Sequence, residues 1–599
     1  MHATTGGADA RAAQVEAVQA QAGPAAAAGS GEPVEDMLDR LRQAHWPDGI
    51  PRHPRHVLGE IPLTHHLRHW ATVKPHEPAV FFEDTTTSWQ QLDRLSDAFA
   101  RWLAHLGIAP GERVAVFLPN CPQFHWVFYG LLKHGAVHVP ISPMAKGFEL
   151  RHQVTDSGAV AIVCTDALLP LVRRLRAQHP DLALRRCLVT CAADAARGAA
   201  AGAADAGSDI EALEPDALAL WPGLLDHADT TPLPLAADLD AVAALNYTGG
   251  TTGLPKGCIH TQRDMVYTAA ANCGVSIEVG PDTVFLNSFL QAWIAGENGG
   301  LIFHVFCGRP LVLLARWGAA QVLRAIERHR VTTFVMTVDS AVELMDHPAF
   351  AQADLRSLRQ PRVVSFMRKL SLEIRQRWRA LHPATLVEAA WGMTETHTSN
   401  TFTTGMQAGD FDLRARPVFI GLPVPGTRLK VCDFDTGADL PPGHEGELCI
   451  HTPALFKGYW NQPEATAASL RGGWFRTGDI GMTSPTGHVH YLGRRKEMIK
   501  VNGMSVFPME IESVLGQHPA VASVGVLARP DERKGEVPVA FVCLHPLADP
   551  AQALPALTAW CRDALSSYKV PELRQVDAMP RTPSGKVDKK ALQGLLEAA

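Results

Sequence analysis

The sequence predicts an α/β protein: a large N-terminal domain of parallel α/β subdomains with a β-rich subdomain, followed by a small α+β domain. Three observations predict it. At 599 residues the chain exceeds the ~250–300 residues at which a single core stops growing, so it divides into domains. Short apolar runs alternate with longer helical patterns, which is what parallel strands joined by crossover helices require. After about Pro417 the pattern changes to short strands between Gly/Pro turns, and after Gly493 a compact α+β unit begins.

Taken in order, residues 1–50 read as a mostly flexible tail, because their Ala/Gly/Gln-rich opening lacks the large apolar side chains needed to offset the entropy of ordering. The N-terminal domain then spans 51–492. Within it, 89–106 has helical periodicity, and 114–118 and 160–164 are β-branched strand runs. The low-complexity stretch 192–208 reads as a surface loop insertion. Strands resume at 284–286, 311–314 and 332–336, and the β-rich part contributes 428–432, 447–451 and 488–492. Residues 493–599 form the C-terminal domain.

Composition removes several function classes. Hydrophobic residues make up 46% and charged residues 19%, as in an ordinary globular protein, and the net charge of −6 carries no basic nucleic-acid footprint. Eleven scattered cysteines lack zinc-ligand spacing and read as buried thiols. No secretory signal and no transmembrane segment is read from the chain, so a cytoplasmic location is expected.

The most informative segment is Tyr247-Thr-Gly-Gly-Thr-Thr-Gly-Leu-Pro-Lys-Gly257, which follows an apolar stretch and is expected to lead into a helix. Gly249, Gly250 and Gly253 let backbone N–H groups approach an anion, Thr248, Thr251 and Thr252 add hydroxyls, and Lys256 adds charge. A Walker A loop needs Gly-Lys-Ser/Thr, whereas Lys256 lies between Pro255 and Gly257.

This segment resembles the phosphate loop of the acyl-CoA synthetase, adenylation-domain and firefly-luciferase superfamily, and further parts of that pattern recur in order. Trp391-Gly392-Met-Thr394-Glu395 resembles the element whose aromatic ring packs on adenine, whose Thr meets the α-phosphate and whose Glu holds Mg²⁺. Trp474-Phe-Arg-Thr-Gly-Asp479 resembles the element whose Asp accepts from the ribose hydroxyls. Gly493-Arg494 and the following residues resemble the segment in which the Arg also reaches ribose and Lys496 is the interdomain hinge. Pro580-Arg-Thr-Pro-Ser-Gly-Lys586 resembles the loop that brings a catalytic lysine to the acyl-adenylate.

The resemblance implies activation of a carboxylic acid, fatty or aryl, by ATP and Mg²⁺ to acyl-AMP with release of pyrophosphate, then transfer to coenzyme A. The alternative acceptor is a separate acyl carrier protein. Lys586, Thr248 and Glu395 take the catalytic roles. The small domain is implied to rotate between half-reactions, turning the face around Lys500 and Gly503 toward the thiol. A homodimer is left open.

The acyl pocket departs from the pattern. Trp293, in the segment Phe289 to Gly296, stands where many relatives have His. Phe366, Met367 and Lys369 replace small residues, which leaves open a shortened or redirected tunnel, a cation for a second carboxylate, or simple core filling with Lys369 snorkelling outward. His397 is read equally as pocket lining or packing. Leu132-Lys-His-Gly-Ala136 is read as packing within the first subdomain.

Overall fold

The computed structural model describes residues 32–199, 217–248, 254–366, 368–389, 391–415, 418–502, 504–531, 533–582 and 585–598. Among these, two seven-stranded sheets dominate the N-terminal domain. The first runs Ala217–Ala219, Arg186–Thr190, Ala161–Thr165, Arg113–Phe117, Val137–Pro140, Val242–Tyr247, Gly257–Thr261, parallel except for its last pair. The second runs Val387–Glu388, Gln360–Val364, Thr333–Thr337, Phe285–Asn287, Leu311–Leu313, Pro78–Phe82, Thr85–Ser88, again antiparallel only at the final hairpin.

Helices fill the space between these sheets. Val114 and Val116 of one sheet and Val80, Leu311 and Leu313 of the other share a core with Phe99, Trp126 and Phe128, all at most 1% exposed. Helix Trp89–His105 starts where Ser88 accepts from the Gln91 amide and the Gln91 side chain answers the Ser88 N–H, a capping box that satisfies two otherwise orphaned donors. Lys133 on helix Pro122–His134 is buried and tied to Asp93 at 2.6 Å and Asp97 at 2.7 Å, so the segment around it serves helix packing.

A third, antiparallel sheet contains Val418–Pro423, Val489–Arg494, Trp474–Thr483, Glu445–His451 and Arg428–Cys432. The chain leaves it after Arg494, passes through the short helical turn Arg495–Glu497, and enters a five-stranded sheet with Ile499–Val501. The crossing therefore lies two residues beyond the boundary drawn at 493.

Two other expectations change. Residues 34–44 form a helix rather than a tail: buried Arg42 donates to the carbonyls of Leu429 at 2.7 Å and Gly487 at 3.1 Å, seating the helix on the third sheet. Of the stretch 192–208, Ala192–Ala199 is a helix capped by buried Asp194, which accepts from Thr190 at 2.7 Å. Gly198 lies flat against Trp126, where a β-carbon would come within 2.2 Å of the ring. The rest of that stretch falls outside the described residues.

Candidate active site

Four of the segments singled out by the sequence follow the carboxyl ends of parallel strands, where open α/β sheets bind ligands. Thr248 follows Val242–Tyr247, Ser365 follows Gln360–Val364, Trp391 comes just after Val387–Glu388, and Phe289 follows Phe285–Asn287. The phosphate loop does not lead directly into a helix. It closes a hairpin, with Gly257–Thr261 running back antiparallel beside Val242–Tyr247 before helix Gln262–Asn272 starts. Its neck is pinned twice: the Thr248 amide donates to the Lys256 carbonyl at 2.9 Å, and the Lys256 amide to Thr248 Oγ1 at 3.1 Å. Gly249, Gly250, Thr251, Thr252 and Gly253 lie outside the described residues.

Beside the neck, Lys256 Nζ sits 4.1 Å from the centre of the Tyr459 ring. The Tyr459 hydroxyl donates to Glu395 Oε1 at 2.8 Å. Burial, reinforced by that carboxylate, pushes the Tyr459 phenol well up, so it stays a donor. Tyr459 went unnoticed in the sequence, where Gly458-Tyr-Trp460 offers only an aromatic pair after a glycine. Glu395 belongs to a short turn, Thr394–Thr396, held by His260, whose Nε2 lies 2.8 Å from the Thr394 carbonyl oxygen. Gly392 is required in the hairpin entering that turn, since a β-carbon would come within 1.8 Å of the Thr398 carbonyl oxygen.

Trp391 and Asp479 meet: the indole Nε1 donates to Asp479 Oδ2 at 2.8 Å, while Arg494 Nε reaches Oδ1 at 2.6 Å. Asp479 and Arg494 face one another across paired strands of the third sheet. Burial pushes the Asp479 carboxyl up to about 6 despite these donors. Burial also works against the charge of Arg494, yet Asp479 beside it holds the guanidinium above its usual range.

Lys586 arrives from the C-terminal domain. Thr582 N–H donates to the Lys586 carbonyl at 2.8 Å and Lys586 N–H to Thr582 Oγ1 at 3.1 Å, with Gly585 left-handed at φ 78°. Its ammonium lies 5.6 Å from the centre of the Phe366 ring. Burial, then repulsion from Arg494, lowers its proton affinity. Lys586, Arg494, Asp479 and Trp391 thus converge on one interdomain cleft.

The pocket residues divide. Phe366 packs against Phe289 with ring centres 6.4 Å apart, and Trp293 is half-buried. Gly296 does not line open space, because it is buried with the Leu290 carbonyl 1.9 Å from where a β-carbon would stand. His397 is fully buried behind the Thr-Glu turn with its ring turned to Glu297 at 3.6 Å, so it packs rather than lines. Lys369 does not snorkel to the exterior: it donates to the Ser365 carbonyl at 3.3 Å, and burial lowers its proton affinity. Nearby Glu388 accepts from the Ser365 amide and hydroxyl at 2.9 and 2.7 Å, and burial raises it to about 7. Met367 and Gly503 lie outside the described residues. Lys496 sits in the turn joining the two domains and Lys500 on the first strand beyond it, its amide donating to Glu536 at 2.6 Å.

The AMP-binding enzyme family model matches residues 67–460, and the model of the AMP-binding enzyme C-terminal domain matches 510–586. The chain belongs to the AMP-binding enzyme family. A long-chain-fatty-acid–CoA ligase of Escherichia coli is 30% identical over 533 residues, covering 86% of this chain and 91% of the relative. The fatty acid–[acyl-carrier-protein] ligase ScoC of Streptomyces coeruleorubidus is 31% identical over 529 residues, covering 87% and 93%. Among solved structures, the anthranilate CoA ligase AuaEII in complex with anthranoyl-AMP superposes with a TM-score of 0.77 at 26% identity, over 90% of this chain and 98% of that one. Family membership makes the chain an ATP-using, AMP-forming enzyme. Among the described residues no helix is long and apolar enough to cross a membrane.

Proposed function

We propose that this enzyme activates a carboxylic acid, fatty or aryl, with MgATP to acyl-AMP and pyrophosphate, then passes the acyl group to coenzyme A. The observation that carries this reading is the placement of Lys586 in one cleft with Arg494, Asp479 and Trp391. Trp391 and Asp479 hold adenine and ribose, the loop from Thr248 to Lys256 grips the β- and γ-phosphates, and Thr394 meets the α-phosphate.

Attack of a carboxylate on the α-phosphate brings two anions together, so catalysis is mostly positioning and charge stabilisation. Lys586 is suited to this because burial and Arg494 disfavour its charge by more than Asp479 favours it, and the reacting phosphate offsets that cost. Glu395 fits Mg²⁺: Tyr459 occupies Oε1, and among the described residues Oε2 has no hydrogen-bond partner, which suits a cation held by one carboxylate and phosphate oxygens. The ion when bound neutralises phosphate charge. The second half-reaction is displacement of AMP by a thiol, with Lys496 as the pivot and the face from Lys500 to Gly503 presented to the pantetheine arm. The two bodies proposed to rotate, in a cytoplasmic enzyme, lie on either side of the turn Arg495–Glu497, and the helix Val34–Ala44 moves with the larger one.

Pyrophosphate release with MgATP, measured over short, medium, long and aromatic acids with and without coenzyme A, tests the reading. Acid-dependent release that becomes multiple-turnover only with coenzyme A, together with a thioester product, is expected. Release indifferent to coenzyme A moves the acceptor to the phosphopantetheine thiol of a carrier protein, a second reading favoured by the similarity to ScoC.

A further inference from the structure

Glu297 is a fully buried carboxylate behind the cleft, on a segment otherwise apolar enough to be core. Its contacts come from three separate elements. Asn246, on the strand that feeds the phosphate loop, donates to Oε2 at 2.8 Å. His397 Nε2 stands 3.6 Å from Oε1, and His138 Nε2 from strand Val137–Pro140 stands 3.8 Å from Oε2. Burial works against the charge of Glu297, yet the imidazoles of His397 and His138 beside it and the Asn246 amide outweigh that, so the carboxyl is held below its usual range.

The segment bearing Glu297 leads into a π-helical turn, Asn298–Ile302, a winding that recurs at functional sites. Asn298 of that turn donates to the His397 carbonyl at 3.3 Å. His397 itself is left-handed at φ 54° and Thr398 follows at φ 87°, conformations that side chains adopt only when their surroundings over-determine them. Two residues upstream is Glu395.

We propose that Glu297 is a positioning residue: through Asn246 and His397 it holds the phosphate loop and the Glu395 turn in register for MgATP. The carboxylate touches no substrate. It ties the strand that feeds the phosphate loop to the Glu395 turn from behind, beside the bond that His260 makes to the Thr394 carbonyl from the returning strand. Losing it takes the acceptor from the buried Asn246 amide and the neighbouring carboxylate from His397.

The inference rests on the nucleotide roles proposed above, and titration calorimetry with MgATP and with AMP, needing no acid, separates the two. Glu297→Gln is expected to weaken MgATP about tenfold, as small misplacements of positioned groups do, while AMP, anchored by Trp391 and Asp479, stays within about threefold. His397→Gly removes the imidazole yet accepts the left-handed backbone without strain, and should give the same MgATP-selective loss. Either variant binding MgATP as wild type does, or losing both nucleotides equally, overturns the proposal. Should Glu297→Gln not fold, His397→Gly decides alone. Wild-type enzyme that binds neither nucleotide overturns the site assignment itself.

Discussion

Asp479→Asn separates what the fold prefers from what the nucleotide needs. Burial lifts the Asp479 carboxyl to about 6, even with Arg494 at 2.6 Å and Trp391 at 2.8 Å favouring the anion. A folded-state value above the unfolded one means that the unfolded chain binds fewer protons between the two. Stability is therefore full below the ordinary aspartate range and falls as pH rises through about 6. At 1.36 kcal/mol per pH unit, a rise of about two units sets roughly 3 kcal/mol against the fold above that pH. The neutral isostere escapes this cost, so its melting temperature should lie a few degrees above wild type at pH 8, about half as far above at pH 5, and level with it only below about pH 4. Binding should move the other way. Losing a charged acceptor for the ribose hydroxyls costs about 1.5–3 kcal/mol, or about 10- to 100-fold in affinity. Adenosine is the right probe, having no phosphate to titrate, and calorimetry across pH 5–8 is the assay. Wild-type affinity should decline below about pH 6 as Asp479 takes up a proton, and the variant should be flat. A variant that binds adenosine as wild type does at pH 8, or keeps the acid decline, refutes the ribose role.

Lys586→Ala should cut acid-dependent pyrophosphate exchange by about 100-fold or more while thioester formation from preformed acyl-AMP stays within a few-fold; equal damage to both halves removes the role assigned to it. Phe366→Gly should open the space beside Phe289, raising kcat/KM for a longer acid about tenfold, and an unmoved chain-length preference takes Phe366 out of the pocket. Buried His66, His125, His138 and His304 are all held below the ordinary histidine range by burial, His125 at about 3 and His66 and His138 at about 4. They are neutral folded and protonated unfolded at acid pH, so stability is present above pH ~6.5 and lost as pH falls toward 4; a melting temperature flat from pH 7 to 5 contradicts this. Arg42→Ala strips donors from the Leu429 and Gly487 carbonyls and should cost about 2–3 kcal/mol in chemical denaturation, where an unchanged midpoint frees the N-terminal helix from any structural role.

How far the site was legible depends on the kind of signal each residue leaves. Thr248, Lys256, Trp391, Asp479, Arg494 and Lys586 sit in strings whose glycine and threonine spacing is itself the chemistry, so they stand out before any fold is known. The parallel sheets were legible for a similar reason: β-branched runs such as Ala161–Thr165 lie in fully buried strands and need no partner to be recognised. The helix expected straight after the phosphate loop fails because five residues, Gly257–Thr261, are too few to reveal a strand ahead of the stronger helical pattern. The N-terminal helix was hidden by an Ala-rich opening, and its anchor Arg42 acts on carbonyls 387 and 445 residues away. Tyr459 and Glu297 are harder still. Tyr459 finds Glu395 across 64 residues and Glu297 finds Asn246 across 51, and neither pairing leaves a period or a motif. Local pattern assigns a side chain to an element, whereas a buried polar group takes its role from whichever partner completes it. His397 makes the point: beside Glu395 it was read equally as pocket lining or packing, and only the carboxylate at 3.6 Å, contributed by a helix a hundred residues earlier in the fold's order, turns it into part of the frame that holds the catalytic turn.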